Sequence, residues 1–121
     1  MKKEIAARVR RGSTLLDKKV PGWYRTIALT ANGGVHIDVK MYDVSYCILG
    51  QTFKDYFDGL AALGLTDHSG KHYGFDIASG EGSAGYNSLE SAWEREVFRR
   101  LRKDTLGRIT LEELKFGISE A

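Results

Sequence analysis

Residues 87–103, NSLESAWEREVFRRLRK, decide the fold. Four large apolar residues recur there at every fourth position: Leu89, Trp93, Val97 and Leu101. A spacing of four is close to one helical turn, so these side chains share one face of a helix. Asn87 can cap the N-terminus of this helix, and Glu90 three residues later can complete a capping box. The stretch therefore predicts a helix with one face in the core.

Two further segments carry helical periodicity. Residues 3–19 predict a first helix, which ends before the chain's single proline because proline has no amide donor. The apolar face of this helix is formed by Ile5, Val9, Leu16 and Val20. Residues 46–63 predict a second helix, capped by Asp43 or Ser45 and ended by Gly64. Its apolar stripe comprises Leu49, Phe53, Phe57 together with Tyr56, Leu60 and Leu63.

The remaining segments predict shorter elements. Residues 24–42 alternate apolar and polar positions on both sides of Ala-Asn-Gly-Gly at 31–34, a pattern typical of a β-hairpin with a tight turn. Residues 64–86 contain six glycines and predict a long loop with a short strand at 73–77. Near the C-terminus, Thr110 and Glu113 can form the capping box of a final short helix.

These elements together predict an α+β protein that is mainly helical. It has three long helices, a short C-terminal helix and one β-hairpin. No internal repeat or linker divides the chain, so we expect a single domain over residues 1–121.

The bulk composition is that of a globular protein. Hydrophobic residues make up 42% of the 121 residues and charged residues 28%, a balance that supports a folded core. No apolar run reaches the roughly 18–20 residues that span a bilayer, and the single Cys47 cannot form an internal disulfide. We therefore expect a cytoplasmic protein without membrane contact. The net charge of +2 is too small to attract nucleic acid by itself.

Two stretches have the spacing of ligand-binding motifs, but their surroundings argue against that function. Residues 80–85 match G-x-G-x-x-G, yet no βαβ unit follows, and Glu81 would place a carboxylate where a pyrophosphate binds. Residues 104–113 are similar to the second half of an EF-hand loop, but the first ligand position would be Arg102, a cation that repels calcium. We interpret the first stretch as a connector. We interpret the second as a joint between two helices, bent at Gly107.

Histidine and cysteine side chains offer further alternatives. His68 and His72 are four residues apart, the spacing of a zinc pair on a helix, but Ser69 and Gly70 between them indicate a loop. The apolar neighbours of Cys47 predict a buried core thiol. The sequence therefore assigns no catalytic residue, metal ligand or cofactor. We expect a non-enzymatic protein.

The surface feature that points most directly to a function is a row of arginines. Arg95, Arg99 and Arg102 are spaced by four and three residues, so they form a ridge on the helix opposite its apolar face. Such a ridge fits either phosphate groups or an acidic protein surface. The chain also has more aromatic residues than a small core needs, and aromatic side chains near arginines are typical of interfaces. The candidate partner-binding residues are Arg95, Arg99, Arg102, Arg100, Lys103, Trp23 and Tyr24.

A resemblance to other proteins rests on several short segments within residues 5–100. They are Leu15-Leu16-Asp17, Pro21-Gly22-Trp23, Cys47-Ile48-Leu49-Gly50-Gln51, Tyr73-Gly74-Phe75-Asp76 and the helix around Trp93. In these segments the chain resembles a group of small proteins of unknown function encoded by high-GC Gram-positive bacteria and their phages. It departs from that group in its Asn-Gly-Gly hairpin and after Lys103. The resemblance implies an accessory role in a mobile element and no mechanism.

The leading hypothesis is a small accessory or inhibitory binding protein that docks on a host macromolecule. A host protein, such as a component of host defence, is the expected partner. The alternative is a nucleic-acid-binding protein that uses the basic helix 88–103 together with Arg8, Arg10 and Arg11. A metal-dependent or cysteine enzyme is the least favoured reading. The oligomeric state is open, and a homodimer is compatible with the sequence.

Overall fold

The computed structural model describes residues 2–31 and 34–116, with side chains as far as residue 104. The elements in chain order are α1 (Lys2–Lys19), a 3-10 turn (Trp23–Thr26), β1 (Leu29–Thr30), β2 (His36–Ile37), α2 (Ile48–Thr52), α3 (Tyr56–Leu63), α4 (Asp67–His72) and α5 (Gly82–Phe116). The predicted α+β class, mainly helical with one hairpin, is confirmed.

Helices α1 and α5 form the centre of the fold and run in the same direction. Successive contacts between them involve later residues on both helices. The Ser13 hydroxyl of α1 lies 3.4 Å from the Glu96 carboxylate of α5, and four residues further along each helix Asp17 bonds to Arg100. The predicted apolar face of α5 is buried at Leu89, Trp93 and Val97.

Gly12 allows α1 to approach the segment that precedes α5. A Cβ at this position would lie 2.0 Å from the carbonyl oxygen of Tyr73 and 3.1 Å from the ring of Trp93. That ring stacks on Phe75 with centroids 5.5 Å apart, and its indole N–H donates to the carbonyl of Gly74 at 2.7 Å. A glycine that weakens an isolated helix by about 1 kcal/mol is therefore what lets α1 reach the core.

The predicted single helix over residues 46–63 is wrong, because the structure divides it into α2 and α3. The Cys47 sulfur caps α2, and the Asp55 carboxylate caps α3 by accepting an amide of its first turn. Because each cap begins a separate helix, the residues after Asp55 do not continue the helical spacing of the residues before it. Of the two neighbouring rings that the sequence places on the apolar stripe, Tyr56 is buried in the core and Phe57 is 62% exposed.

Neither predicted cap, Asp43 or Ser45, begins α2. The Asp43 carboxylate instead accepts the backbone amides of Ser45 and Tyr46, at 2.8 and 3.3 Å, and so forms the turn before the helix. The predicted end of the segment is correct. Gly64 ends α3 with a φ of 71°, a left-handed conformation that favours glycine.

The predicted long loop over residues 64–86 is also wrong. Helix α4 forms within it because Thr66 and Ser69 make a reciprocal capping box, with amide-to-hydroxyl distances of 2.8 and 3.1 Å. Helix α5 begins at Gly82 rather than after Asn87. Residues 73–76 form turns and bends, and Ile77 is irregular, so the predicted strand is absent there.

The helix joint predicted at residues 104–113 is not formed. Helix α5 continues to Phe116, so the backbone is helical at Gly107 and Thr110 and no separate C-terminal helix begins there. The predicted hairpin turn at residues 32 and 33 lies outside the described residues.

The β-hairpin itself is confirmed, with shorter strands than predicted. Strands β1 and β2 are antiparallel, and Leu29 lies opposite Ile37. Helix α5 holds the chain at and after β2, because Glu94 accepts the amide of Ile37 and Glu90 accepts the amide of Met41, each at 2.9 Å. One face of α5 is thus occupied by the hairpin and the residues that follow it.

Candidate partner-binding surface

Three of the predicted partner-binding arginines share one exposed face of α5. Arg95, Arg99 and Arg102 are all exposed, at the helical spacing that the sequence indicates. Arg10 joins them because α1 lies beside α5, and the four side chains line one groove of about 470 Å³. The predicted ridge on one helix is therefore part of a two-helix surface, which we call the arginine groove.

Acidic and apolar side chains complete the arginine groove. Glu94, Glu96 and Phe98 line it together with the four arginines. Glu94 is shared with the hairpin, where its carboxylate accepts the Ile37 amide. Glu96 forms an ion pair with Arg99 at 2.5 Å. The groove thus combines positive charge with two carboxylates and one half-buried ring.

The surroundings of Glu96 favour its ionised form. Burial on its own raises the pKa of the carboxyl, but hydrogen bonds from Arg100 and Arg99 outweigh burial and hold the pKa below its ordinary value. The three other groove arginines are Arg10, Arg95 and Arg102. Their side chains form no hydrogen bond or ion pair with any residue that the structure describes. Three guanidinium groups are therefore available to a partner.

Arg100, predicted to flank the ridge, is instead an internal contact between α1 and α5. Its guanidinium donates to both carboxylate oxygens of Asp17, at 2.9 and 2.8 Å, and to Glu96 at 2.8 Å. It also lies 5.6 Å from the ring centroid of Trp23. Only 14% of the side chain is exposed, so Arg100 holds the helices together. Lys103 is exposed but does not line the groove.

The two aromatic candidates, Trp23 and Tyr24, do not extend this surface. Trp23 is fully buried, which contradicts its predicted role at an interface. Its indole N–H donates to Asp17 at 2.9 Å, and its ring packs edge-on against Trp93. Tyr24 is half-buried. Its hydroxyl donates to Asp104 at 2.7 Å, and this hydrogen bond raises the pKa of the phenol.

The three arginines of α1 that the nucleic-acid alternative groups together lie in different places. The guanidinium of Arg8 pairs with Glu81 at 2.6 Å and is largely shielded from solvent. Arg11 donates to the carbonyl of His72 at 3.0 Å. Only Arg10 reaches the groove. The Arg8–Glu81 pair also shows that the glycine-rich stretch 80–85 is fastened to α1.

The histidine pair lies on a helix, contrary to the predicted loop. Helix α4 places His68 and His72 one turn apart, with both side chains exposed. Within the described residues, no group of three or more His, Cys, Asp or Glu side chains is placed to hold a metal ion. The predicted core position of Cys47 is confirmed, and burial raises the pKa of its thiol.

Sequence reasoning missed a second cleft, which lies between residues 41–47, α3 and the beginning of α5. Tyr42, Phe57 and Tyr86 line it from three separate parts of the chain, so no spacing rule could have grouped them. The one signal in the sequence is the aromatic surplus. These partly exposed rings account for that surplus better than the buried Trp23 does.

Comparisons of the chain with models of known protein families, with curated proteins and with solved structures found no match. In the part of the chain that the structure describes, no helix combines the length and the apolar character needed to cross a bilayer. The geometry of the surface is therefore the basis for assigning a function.

Proposed function

We propose that this protein is a small non-enzymatic binding protein whose arginine groove docks on an acidic surface of a partner protein. The observation that supports this function is the convergence of four arginines from two packed helices, three of them without an internal partner among the described residues. Guanidinium groups are common at interfaces because their planar fork pairs with carboxylates in a bidentate manner. A rigid helix pair also presents them in a fixed arrangement, which lowers the entropy cost of binding.

The charge pattern of the groove favours a protein over a nucleic acid. Glu94 and Glu96 lie among the arginines, where a continuous phosphate backbone would meet them with repulsion. A protein surface can place acidic side chains opposite the arginines and basic or polar ones opposite the glutamates. The half-buried Phe98 adds apolar area, and the net charge of +2 provides little general attraction for a polyanion.

An accessory or inhibitory role on a host component completes the proposal. The resemblance of several short segments to small proteins of high-GC Gram-positive bacteria and their phages supports this role. So does the architecture, since a rigid domain that occupies an acidic surface can block other contacts without any chemistry of its own. The partner is expected to present clustered Asp and Glu side chains.

The proposal is tested by quantitative capture of partners from the natural host. The groove variant carries Arg99→Glu with Arg102→Glu. Its matched control carries Lys40→Glu with Lys54→Glu, two exposed lysines outside the groove whose replacement changes the net charge equally. We expect the groove variant to capture at least about tenfold less of its main partner, because glutamates in place of the arginines repel an acidic partner surface. If both variants capture equal amounts of the partner, the groove is not part of the interface.

Nucleic acid is the second candidate, supported by the contribution of Arg10 from α1 to the ridge on α5. A labelled random duplex distinguishes the two candidates. Binding that falls steeply between about 50 and 200 mM salt, and that Arg99→Glu with Arg102→Glu abolishes, would assign the groove to phosphate contacts. No binding at the lower salt concentration would exclude this function.

A further inference from the structure

The second cleft has the size and the aromatic walls of a binding site. Its volume is about 370 Å³, within the range of roughly 300–1,000 Å³ that is usual for ligand sites. Its rings are those of Tyr42, Tyr56, Phe57, Phe75 and Tyr86. Four of them pack edge to face in two pairs, Tyr42 with Tyr86 at 6.0 Å and Tyr56 with Phe57 at 5.3 Å between ring centroids.

Exposed apolar side chains gather at the cleft. Tyr42, Val44 and Phe57 are 63%, 45% and 62% exposed, and all three line it. Single exposed apolar residues are common on any protein, but a contiguous group marks a contact site. Because the group comes from two segments that pack together, the cleft already exists before a partner binds.

Three carboxylates line the same cleft without a basic partner. Their hydrogen bonds come from neutral groups: Asp43 accepts the Ser45 amide, Asp67 accepts the Tyr56 hydroxyl at 2.9 Å, and Asp76 accepts the Ile77 amide at 2.8 Å. None of the three forms an ion pair with any residue in the described ranges. No lysine, arginine or histidine lines the cleft among those residues. Within the described residues, no basic side chain at the cleft pairs with these carboxylates.

We propose that this cleft binds an arginine side chain presented by a partner protein. Aromatic faces attract a cation through their quadrupole, and the carboxylates supply charge-assisted hydrogen bonds. Arginine satisfies both better than lysine, because the guanidinium is planar, weakly hydrated and able to stack on rings. Val44 and Phe57, both exposed at the cleft, offer apolar contacts to the chain on either side of that arginine. A free amine has no such flanking chain, so the occupant proposed is a residue of a polypeptide.

This cleft is separate from the arginine groove. Tyr86 and Arg95 are nine residues apart on α5, which at about 100° per residue places them on opposite faces of the helix. The two surfaces also have opposite charge, so they select different partners or different parts of one partner. The inference therefore does not depend on the function proposed for the groove.

The test uses the full chain and two peptides, Gly-Ser-Gly-Ser-Arg-Ser-Gly-Ser-Gly and the same peptide with citrulline at its centre. Citrulline has nearly the shape of arginine but no charge. In NMR titrations at low salt, we expect the arginine peptide to shift the amides of Val44, Phe57 and Tyr86. We expect it to bind at least about tenfold more tightly than the citrulline peptide. Equal affinities, shifts elsewhere only, or no shifts would overturn the proposal.

Variants of the cleft check the same point independently. Asp67→Asn with Asp76→Asn removes two charges but keeps the shape, and Phe57→Ala removes one exposed ring. Each is expected to weaken binding of the arginine peptide about tenfold. The controls, Asp38→Asn and Tyr46→Ala, change one exposed carboxylate and one exposed ring outside the cleft and should bind normally. Full binding by both cleft variants would contradict the proposal.

A second copy of the chain is the competing occupant. NMR spectra of the protein alone, recorded over a range of protein concentrations, distinguish a second copy in the cleft from an arginine of a partner. Cleft amides that stay fixed with concentration and shift only on addition of the arginine peptide support the proposal. Cleft amides that shift with protein concentration, without displacement by the peptide, would assign the cleft to self-association and refute it.

Discussion

The guanidinium of Arg100 on α5 donates to both carboxylate oxygens of Asp17 on α1, at 2.9 and 2.8 Å. The same carboxylate accepts the indole N–H of Trp23, so the pair joins the two helices to the tryptophan core. This contact fixes how far α1 lies along α5, and with it the position of Arg10 in the arginine groove. The shape of the groove thus depends on residues that do not line it.

Replacing Arg100 with alanine is expected to lower the free energy of unfolding by about 2 kcal/mol, because Asp17 and Glu96 lose their shared cation. Asp17 is 44% exposed, so solvent screens the pair and keeps the loss below that of a fully buried one. The matched variant Arg99→Ala, at an exposed position one residue away, should cost less than about 0.5 kcal/mol. Urea unfolding measures both. Equal losses would show that Arg100 has no special role.

Acid pH is expected to destabilise the fold through Asp17, Glu81 and Glu96. The pKa of Asp17 is lowered mainly by its hydrogen bond from Arg100. Burial raises the pKa of both glutamates, but their hydrogen bonds and nearby positive charges together outweigh burial and lower it. The hydrogen bonds come from Arg8 and the Ala78 amide at Glu81, and from Arg100 and Arg99 at Glu96. The unfolded chain therefore takes up protons at higher pH than the folded chain. This stabilisation is complete above the ordinary carboxyl pKa of about 4, and it is lost as the pH falls through the lower folded values.

Urea midpoints measured at a series of pH values below 7 test this dependence. Asp17→Asn removes one of the three shifted carboxyls and should make the decline in acid shallower. Asp38→Asn, at an exposed carboxyl without an ion pair among the described residues, is the control for the substitution itself. A slope that Asp17→Asn does not change would show that this carboxyl is not linked to folding.

Replacing Gly12 with alanine is expected to destabilise the protein by about 2 kcal/mol. Alanine favours a helix over glycine by about 1 kcal/mol, but its Cβ would lie 2.0 Å from the carbonyl oxygen of Tyr73. The clash with backbone outweighs the gain in propensity because α1 must move to relieve it. Thr14→Ala, at an exposed position of the same helix, is the control for thermal unfolding. A more stable Gly12→Ala protein would disprove the close approach.

The elements of the fold differ in how well the sequence predicts them. Helix α1 and the centre of α5 follow from apolar spacing, because a long periodic face has only one way to be buried. The break within residues 46–63 does not follow, because a cysteine is not a usual cap and Asp55 lies within an otherwise helical pattern. The C-terminal part of α5 shows the opposite case, since Gly107 and Thr110 suggest a break and the helix continues through both.

The residues of the candidate site also differ in how well the sequence predicts them. Arg95, Arg99 and Arg102 follow from spacing along one helix, which is local information. The contribution of Arg10 depends on α1 lying parallel to α5, a contact between residues far apart in the chain. Arg100 differs from Arg99 by one position, yet the rotation of about 100° turns it inward to Asp17. Sequence spacing alone could not distinguish a surface arginine from a structural one there.

Charge reversal at two neighbouring arginines of α1 tests the two-helix groove most directly. Arg10 lines the groove, whereas Arg11 donates to the carbonyl of His72 outside it. Partner capture is measured for Arg10→Glu and Arg11→Glu beside Arg99→Glu. We expect Arg10→Glu to weaken capture as much as Arg99→Glu does, by about tenfold, and Arg11→Glu to leave it nearly unchanged. Equal effects of Arg10→Glu and Arg11→Glu, or no effect of Arg10→Glu, would contradict a binding surface shared by α1 and α5.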